Sequence, residues 1–370
     1  MENIVILGGS YAGISTAHRI LKQASKTGHF KITLVSPNTD LYWNMASPRG
    51  ILPDQIPDEK LFQPIAAGFS KYPGHQFEFI LATAESLDVD AKNVEISSLE
   101  GNQVLSYDFL ILATGSRTIG GAPFKGLGTT EETKDQLHGF QGRVKKAKTI
   151  VVAGGGVTSV EVAGELGFEY GRGKNIILIA SGPSLLEGTP SSISKYATKE
   201  LQNLKIDIRL STRVVSSTYL SSSQQELTLA TGETLTTDLY IPTFGLTPNS
   251  SYIPAKFLNA QKYAIVNTYL QLKETKDIWA IGDVSNVENS QFISCDRQSA
   301  YLAKNIVALL RDGLVAPYKE NTVPFMGLQI GKKAGTGHRG NIKLPTFVIV
   351  WARKNLFTDR MKSTVDGSGF

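Results

Sequence analysis

A chain of 370 residues with 41% hydrophobic and 19% charged residues reads as an ordinary globular protein of two or three domains. The net charge of +5 and pI of about 9.0 are mild and come from scattered Lys and Arg. No nucleic-acid-reading module is present, so a solvated basic surface is the plain reading and no nucleic-acid partner is expected. One cysteine, Cys295, excludes a disulfide framework and a Cys-x-x-Cys dithiol. His18, His29, His75, His138 and His338 have no ligand spacing, so no metal is expected. The N-terminus lacks a basic signal-peptide start, Glu2 precludes myristoylation, and the longest apolar run, Phe347 to Trp351, is too short for a bilayer. A cytoplasmic protein is the resulting expectation.

In chain order, an apolar run from Ile4 to Leu7 leads into Gly8-Gly-Ser10-Tyr11-Ala12-Gly13 and then into the helical spacing of Ile14 to Leu21. Strand, glycine turn and helix N-terminus together aim free N–H groups at a phosphate. Lys31 to Val35 reads as the next parallel strand, ended by Ser36 where a dinucleotide fold usually carries an acid. The aromatic stretch Leu41 to Arg49 has two readings: a packed loop, or Pro48 beside a flat cofactor with Arg49 near its phosphates. Between 77 and 112 short strands alternate with turns, the last strand entering Ala113-Thr114-Gly115.

The Gly/Pro-rich stretch from Gly115 to Gly128 reads as a crossover, followed by a helix start at Thr130 with acids in its first turn. A second strand–glycine–helix device occurs at Gly154-x-Gly156-x-x-Ser159. Ser159 replaces the third glycine, which predicts modest loosening, and Asn175 to Ile179 ends in Ala180-Ser181 with no acid and no adjacent Arg. Residues 205 to 243 read as an antiparallel excursion with a Ser-rich turn at 221–223 and a hairpin at 231–233. Gly245-Leu-Thr-Pro-Asn249 returns the chain, an apolar strand ends in Gly282-Asp283, and a helix covers Ser299 to Leu310. The tail from 321 reads as short strands and a final helix around Asp359. Two decoys are set aside. Gly8-Gly-Ser10-Tyr-Ala12 imitates a hydrolase elbow on the wrong strand, and Gly335 to Gly340 spells the glycine fingerprint but precedes no helix, so it reads as a turn.

The ordered set of fingerprint, Ala-Thr-Gly, second fingerprint, Gly-x-x-Pro-Asn and Gly-Asp resembles the flavoproteins with two dinucleotide-binding domains, of the pyridine nucleotide-disulfide oxidoreductase fold but without redox cysteines. Leu41 to Arg49, Val160 to Leu166 and the tail from Gly331 to Trp351 are similar to apoptosis-inducing-factor-like and ferroptosis-suppressor-like NAD(P)H oxidoreductases, fungal members especially. The resemblance implies an α/β chain with two Rossmann-like domains. A discontinuous FAD domain would span 1–125 and 245–320, an NAD(P)H domain 126–244, and a small α+β region 321–370. It implies FAD on Gly8, Ser10, Tyr11, Ala12 and Gly13 at the pyrophosphate, Ser36 at the ribose and Ala84 at the adenine. Arg49, Thr114 and Gly115 would lie near the pyrophosphate, with Gly282 and Asp283 at the ribityl chain. NAD(P)H would meet Gly154, Gly156, Thr158 and Glu161, with Glu165 one turn on. Cys295 and Gln298 would approach the flavin ring, Gln298 touching an acceptor.

The activity so implied takes hydride from NAD(P)H through flavin to a quinone-like acceptor or oxygen. A second reading is a flavin oxidase or dehydrogenase acting directly on a small organic metabolite in a biosynthetic pathway. A third is a slow, redox-sensing protein of the apoptosis-inducing-factor kind. The apolar and basic residues from Trp351 to Phe357 admit peripheral membrane contact as well as simple packing. The substrate, the choice of nicotinamide and the oligomeric state stay open.

Overall fold

The structure, a computed structural model, describes residues 1–24, 29–221 and 224–370. Two parallel sheets organise it. The first begins with β1 (Glu2–Leu7), whose Ile4 to Leu7 are buried on both faces, as a central parallel strand requires. Helix α1 (Tyr11–Gln23) follows at once, then β2 (Phe30–Ser36), β3 (Phe77–Leu81) and β4 (Phe109–Leu112). Helix α2 (Thr130–Lys146) starts on a complete capping box, the Thr129 and Glu132 side chains each serving the other's backbone N–H.

The second sheet is built from β5 (Thr149–Ala153), β6 (Asn175–Ile179), β7 (Asp207–Arg209) and β8 (Leu239–Pro242), with α3 (Val157–Tyr170) and α4 (Ser191–Asn203) as crossovers. The chain then returns to the first sheet with β9 (Ile278–Ala280) and covers it with α5 (Phe292–Leu309). All pairings in both sheets are parallel, in the orders β9-β4-β1-β2-β3 and β7-β6-β5-β8. Ser116–Thr118 and Leu246–Pro248 pair antiparallel where the chain crosses between the sheets.

The two units repeat each other bond for bond. Gly8 N–H donates to Val35 O as Gly154 N–H does to Ile179 O. Ala82 N–H donates to Ser36 O as Thr212 N–H does to Ala180 O, and Ala113 N–H to Leu7 O as Thr243 N–H to Ala153 O. This register equates Ser36 with Ala180, Asn38 with Gly182 and Thr83 with Arg213.

Residues 207–209 and 239–242 belong to this parallel sheet, so the antiparallel excursion is narrower than expected: 214–221, 224–229 and 234–237. Its middle strand buries alternate residues, Gln225, Leu227 and Leu229, and Thr237 is buried at the end of the third, whereas Leu239 and Ile241 are wholly interior. The hairpin at 231–233 forms, while of the expected Ser-rich turn at 221–223 Ser221 ends a strand and 222–223 lie outside the described residues.

Beyond α5, strands Phe325–Ile330 and Ala334–Arg339 form a hairpin edged by Ile342–Lys343. The expected turn at 335–340 is therefore mostly strand, with Gly335 and Gly337 close to the backbone of the partner strand. The apolar run from Phe347 lies in α6 (Thr346–Arg353), a helix not anticipated, with Phe347 and Trp351 exposed and Ile349 buried. The chain closes with α7 (Met361–Val365), packed on α1. Buried His18 of α1 holds it: Nε2 lies 2.7 Å from Val365 O, Nδ1 3.1 Å from the Tyr72 hydroxyl, and the ring stacks on Phe69. Burial pushes the His18 pKa down to about 4. Among the described residues no helix is long and apolar enough to cross a membrane.

Candidate active site

A cavity of about 760 Å³ runs along the C-terminal edge of the first sheet. Its floor is the turn from Gly8 to Ala12, then Ser36 to Asn38 after β2, Ala82 to Ala84 after β3, and Ala113 to Arg117 after β4. Gly282, Asp283 and Cys295 close one end. Carboxyl ends of parallel strands are where such folds bind ligands, because the helix N-termini point there.

The residues fit a dinucleotide. Gly8 has φ +119°, and a Cβ on it would stand 2.2 Å from Ala113 O, so the turn tolerates no side chain. Helices α1 and α3 carry no side-chain cap, unlike α2 with its full capping box. Their first N–H groups are thus left for an anion from outside the chain. Thr114 Oγ1 donates to Asn249 O at 2.6 Å and Asn249 Nδ2 to Thr114 O at 3.0 Å, which explains why Ala-Thr-Gly and Gly-x-x-Pro-Asn occur together.

At the far end Asp283 accepts from Ser116 Oγ at 2.9 Å and from Lys125 Nζ at 2.7 Å. Burial alone would raise its pKa, but Lys125 and the hydroxyls of Ser116 and Ser290 outweigh that and hold it below the usual aspartate range. Cys295 stays a thiol, because burial pushes its pKa up to about 12. The Tyr11 hydroxyl donates to Asp296 at 2.7 Å, and its ring lies 4.3 Å from Phe292, which also lines the cavity.

Of the residues expected at FAD, Gly8, Ser10, Tyr11, Ala12, Ser36, Ala84, Thr114, Gly115, Gly282, Asp283 and Cys295 line this cavity. Gly13 stands behind it, where α1 meets the turn; a Cβ there would fall 1.9 Å from Gly8 O. Gln298 is 2% exposed and lies outside the cavity lining. Its Oε1 accepts from Gly282 N–H at 2.7 Å and its amide donates to Glu288 at 3.2 Å, so it fixes the Gly282–Asp283 turn from behind.

Arg49 is also off the cavity. Its guanidinium spans both oxygens of Glu165 at 3.0 and 2.7 Å and reaches Gln329 Oε1 and Lys354 O. A buried carboxylate on α3 captures it in the fork geometry that also suits phosphate. Gly154, Gly156, Thr158 and Glu161 lie on the second unit and do not line the cavity. Ser159 is buried, its Oγ donating to Gly156 O at 2.7 Å, so the third-glycine position is filled and bonded in this unit. Glu161 accepts from Arg353 at 2.5 Å and from Gln329 N–H at 3.4 Å. Burial raises its pKa, and Arg353 opposes that only in part.

In the opposite wall sequence reasoning missed Asn38, Asp40, Lys125 to Gly128, Glu132 and Gln136, and in the stretch Leu41 to Arg49 it named Pro48 and Arg49 where Leu41 to Met45 line the cavity. Lys125 sits in what reads as a linker, and only its placement against Asp283 reveals it. Trp43 donates through Nε1 to Leu356 O at 3.1 Å, tying this wall to the C-terminal region.

The sequence pattern of the family described as pyridine nucleotide-disulphide oxidoreductase matches residues 2–305. Oxidoreductase ptaL of Pestalotiopsis fici is 50% identical over 371 residues, covering 100% of both chains. Apoptosis-inducing factor 1 of Saccharomyces cerevisiae is 27% identical and covers 98% of this chain and 97% of its own. The solved sulfide:quinone oxidoreductase of Aquifex aeolicus superposes with a TM-score of 0.78 at 20% identity, covering 98% of this chain and 92% of that one. With the cavity and the repeated strand–glycine turn–helix units, these likenesses lead to one conclusion: the chain belongs to the pyridine nucleotide-disulphide oxidoreductase family and is an oxidoreductase whose cofactors are FAD and NAD(P)H.

Proposed function

We propose that the chain takes hydride from NAD(P)H through FAD and delivers two electrons to a small quinone-like acceptor or to oxygen. The observation that carries this reading is the chemistry left at the Asp283 end of the cavity. The sequence holds one cysteine, kept as a thiol, so no protein disulfide can relay electrons. Asp283 is committed to Lys125 and Ser116, and no side chain there is set up as a nucleophile. FAD supplies the redox chemistry when bound, and the protein's part is to hold it and the two small molecules that exchange electrons with it. The balance is NAD(P)H, a proton and a quinone giving NAD(P)⁺ and the hydroquinone.

The side chains divide the work. Uncapped α1 and the Gly8–Gly13 turn hold the pyrophosphate, Asp283 accepts hydroxyls of the ribityl chain, and Lys125 keeps Asp283 ionised. Gln298 and Glu288 position the Gly282 turn. Gly154, Gly156 and Thr158 at uncapped α3 bind the nicotinamide dinucleotide.

One observation favours a second reading. Glu161, the side chain expected beside the nicotinamide, is 6% exposed and already engaged by Arg353. In that reading the flavin oxidises a small organic metabolite directly. The two separate when holoenzyme is reduced anaerobically with one equivalent of NADH or NADPH and then mixed with a benzoquinone or with oxygenated buffer. Fast bleaching and fast recovery of the oxidised-flavin band are expected. A flavin that neither nucleotide bleaches supports metabolite oxidation, and fast bleaching with slow recovery in every acceptor supports redox sensing.

A further inference from the structure

We propose that Glu187 reads the adenosine ribose of the nicotinamide cofactor and makes NADH, rather than NADPH, the reductant. The inference rests on the second unit binding that cofactor. Rossmann-type units select NADH with an acid at the end of the second strand, where a carboxylate accepts the ribose hydroxyls and repels a 2′-phosphate. Here that position is Ala180, 1% exposed and without a polar atom on its side chain.

The repeated backbone register locates the ribose without reference to a bound ligand. In the first unit Ser36, Pro37 and Asn38 line the cavity. Their counterparts are Ala180, Ser181 and Gly182. A Cβ built on Gly182 would lie 2.0 Å from Glu187 Oε1 and 2.8 Å from Oε2. The Glu187 carboxylate therefore occupies the space that a side chain at position 182 would fill. A carboxylate is thus present two residues beyond the strand-end position, supplied from further along the same loop.

That placement is built into the loop. Leu185 and Leu186 are buried, anchoring the segment to the core. Leu186 N–H donates to Gly155 O, in the middle of the second fingerprint, at 2.7 Å. Leu186 takes φ +55°, a conformation that costs a branched side chain of this kind about 1–3 kcal/mol and persists only where the surroundings impose it. Thr189 Oγ1 closes the turn by donating to Leu186 O at 2.7 Å. Glu187 is the exposed residue that this strained, pinned turn presents.

Glu187 has no hydrogen-bond or ion-pair partner among the described residues, so both oxygens are free to accept. The loop after β7 packs against the same spot, with Ser211 N–H donating to Gly182 O at 2.8 Å. It carries the one competing charge: Arg213, exposed and equivalent in register to Thr83 of the FAD cavity. Arg209 beside it is paired with Asp207 and Glu233.

The test is calorimetric binding of NAD⁺ and NADP⁺ to the FAD-loaded protein, which reads affinity without turnover. NAD⁺ is expected to bind about tenfold or more tightly than NADP⁺, a gap set by one carboxylate's hydrogen bonds and charge. Glu187→Gln should weaken NAD⁺, strengthen NADP⁺ and bring the two within about threefold. Glu187→Lys should reverse the preference. Because Glu187 is exposed, melting temperature and flavin content should stay unchanged in both variants. Equal affinities in the native protein, or a ratio that Glu187→Gln leaves unchanged, overturn the proposal. So does a preference for NADP⁺ that Arg213→Gln abolishes, which would transfer the role to Arg213. Discrimination fails alone if both nucleotides bind equally, whereas the parent reading fails with it if neither binds.

Discussion

The two dinucleotide units share a hydrogen-bond skeleton and differ in almost everything hung on it. In the first, the third fingerprint position must be Gly13, because a Cβ would fall 1.9 Å from Gly8 O. In the second, Ser159 holds that position and bonds to Gly156 O at 2.7 Å. The first unit is walled by segments distant in sequence, from Asp40 to Met45 and from Lys125 to Gly128, around a cavity that stays partly open to solvent. None of the second fingerprint lines that cavity. A retained cofactor needs walls; a reductant that must come and go needs a cleft. On the proposed assignment the same strand–turn–helix element serves both, and the added loops decide between a prosthetic group and a substrate.

This contrast can be broken most severely at the fingerprint. Gly13→Ser should yield protein without flavin, or destabilised by about 2–4 kcal/mol, since the clash is with backbone that cannot yield cheaply. The mirror change, Ser159→Gly, removes one hydrogen bond and adds helix-interior glycine, so a loss of about 1 kcal/mol with flavin retained is expected. Flavin absorbance per chain and thermal melting distinguish the two, and equal losses would end the distinction between the units.

A comparable cost in stability, with no loss of flavin binding, is expected at the joint between the units. Arg49→Met leaves Glu165 buried without its partner and should cost about 3–5 kcal/mol in denaturant unfolding. Because Arg49 does not reach the cavity, flavin affinity in the folded fraction should not change. The double variant with Glu165→Gln should recover much of the loss. A specific drop in flavin affinity would return Arg49 to the phosphates.

The smallest effect concerns the tail on α1. The folded pKa of His18, about 4, lies below the ordinary value of 6.5. A depressed pKa gives stability that is complete above the unfolded value and fades as pH falls from there towards the folded one. Hydrogen-exchange protection at residues 361–367, taken relative to the intrinsic amide rate at each pH, should therefore fall between pH 6.5 and about 4 in the native protein. His18→Asn should remove that dependence, and protection that stays constant over this window in the native protein would contradict it.

Much of this was legible because local chemistry dictates it. Apolar runs feeding glycine turns can do little but form parallel strands and phosphate-facing helices, and the paired motifs Thr114-Gly115 and Asn249 bond to each other. What stayed hidden depends on the partners that long-range folding supplies. Arg49 has the chemistry to bind phosphate or carboxylate, and only the fold brings Glu165 within 2.7 Å. Gln298 reads as a side chain at a helix start, and only the structure shows its amide spent on Gly282 and Glu288. Lys125 lies in a stretch whose composition says linker. The helix at 346–353 was missed because its apolar face points outward at Phe347 and Trp351, which hides the usual core-facing signal.

The central claim is that the walled first unit holds FAD and the second unit brings NAD(P)H to it. Anaerobic stopped-flow mixing of the flavin-loaded protein with NADH, followed at the oxidised-flavin band, tests it most directly. The account predicts a single saturable bleaching phase that Gly154→Val slows severely while leaving bound flavin unchanged. Full flavin loading with no bleaching at any NADH or NADPH concentration would contradict it.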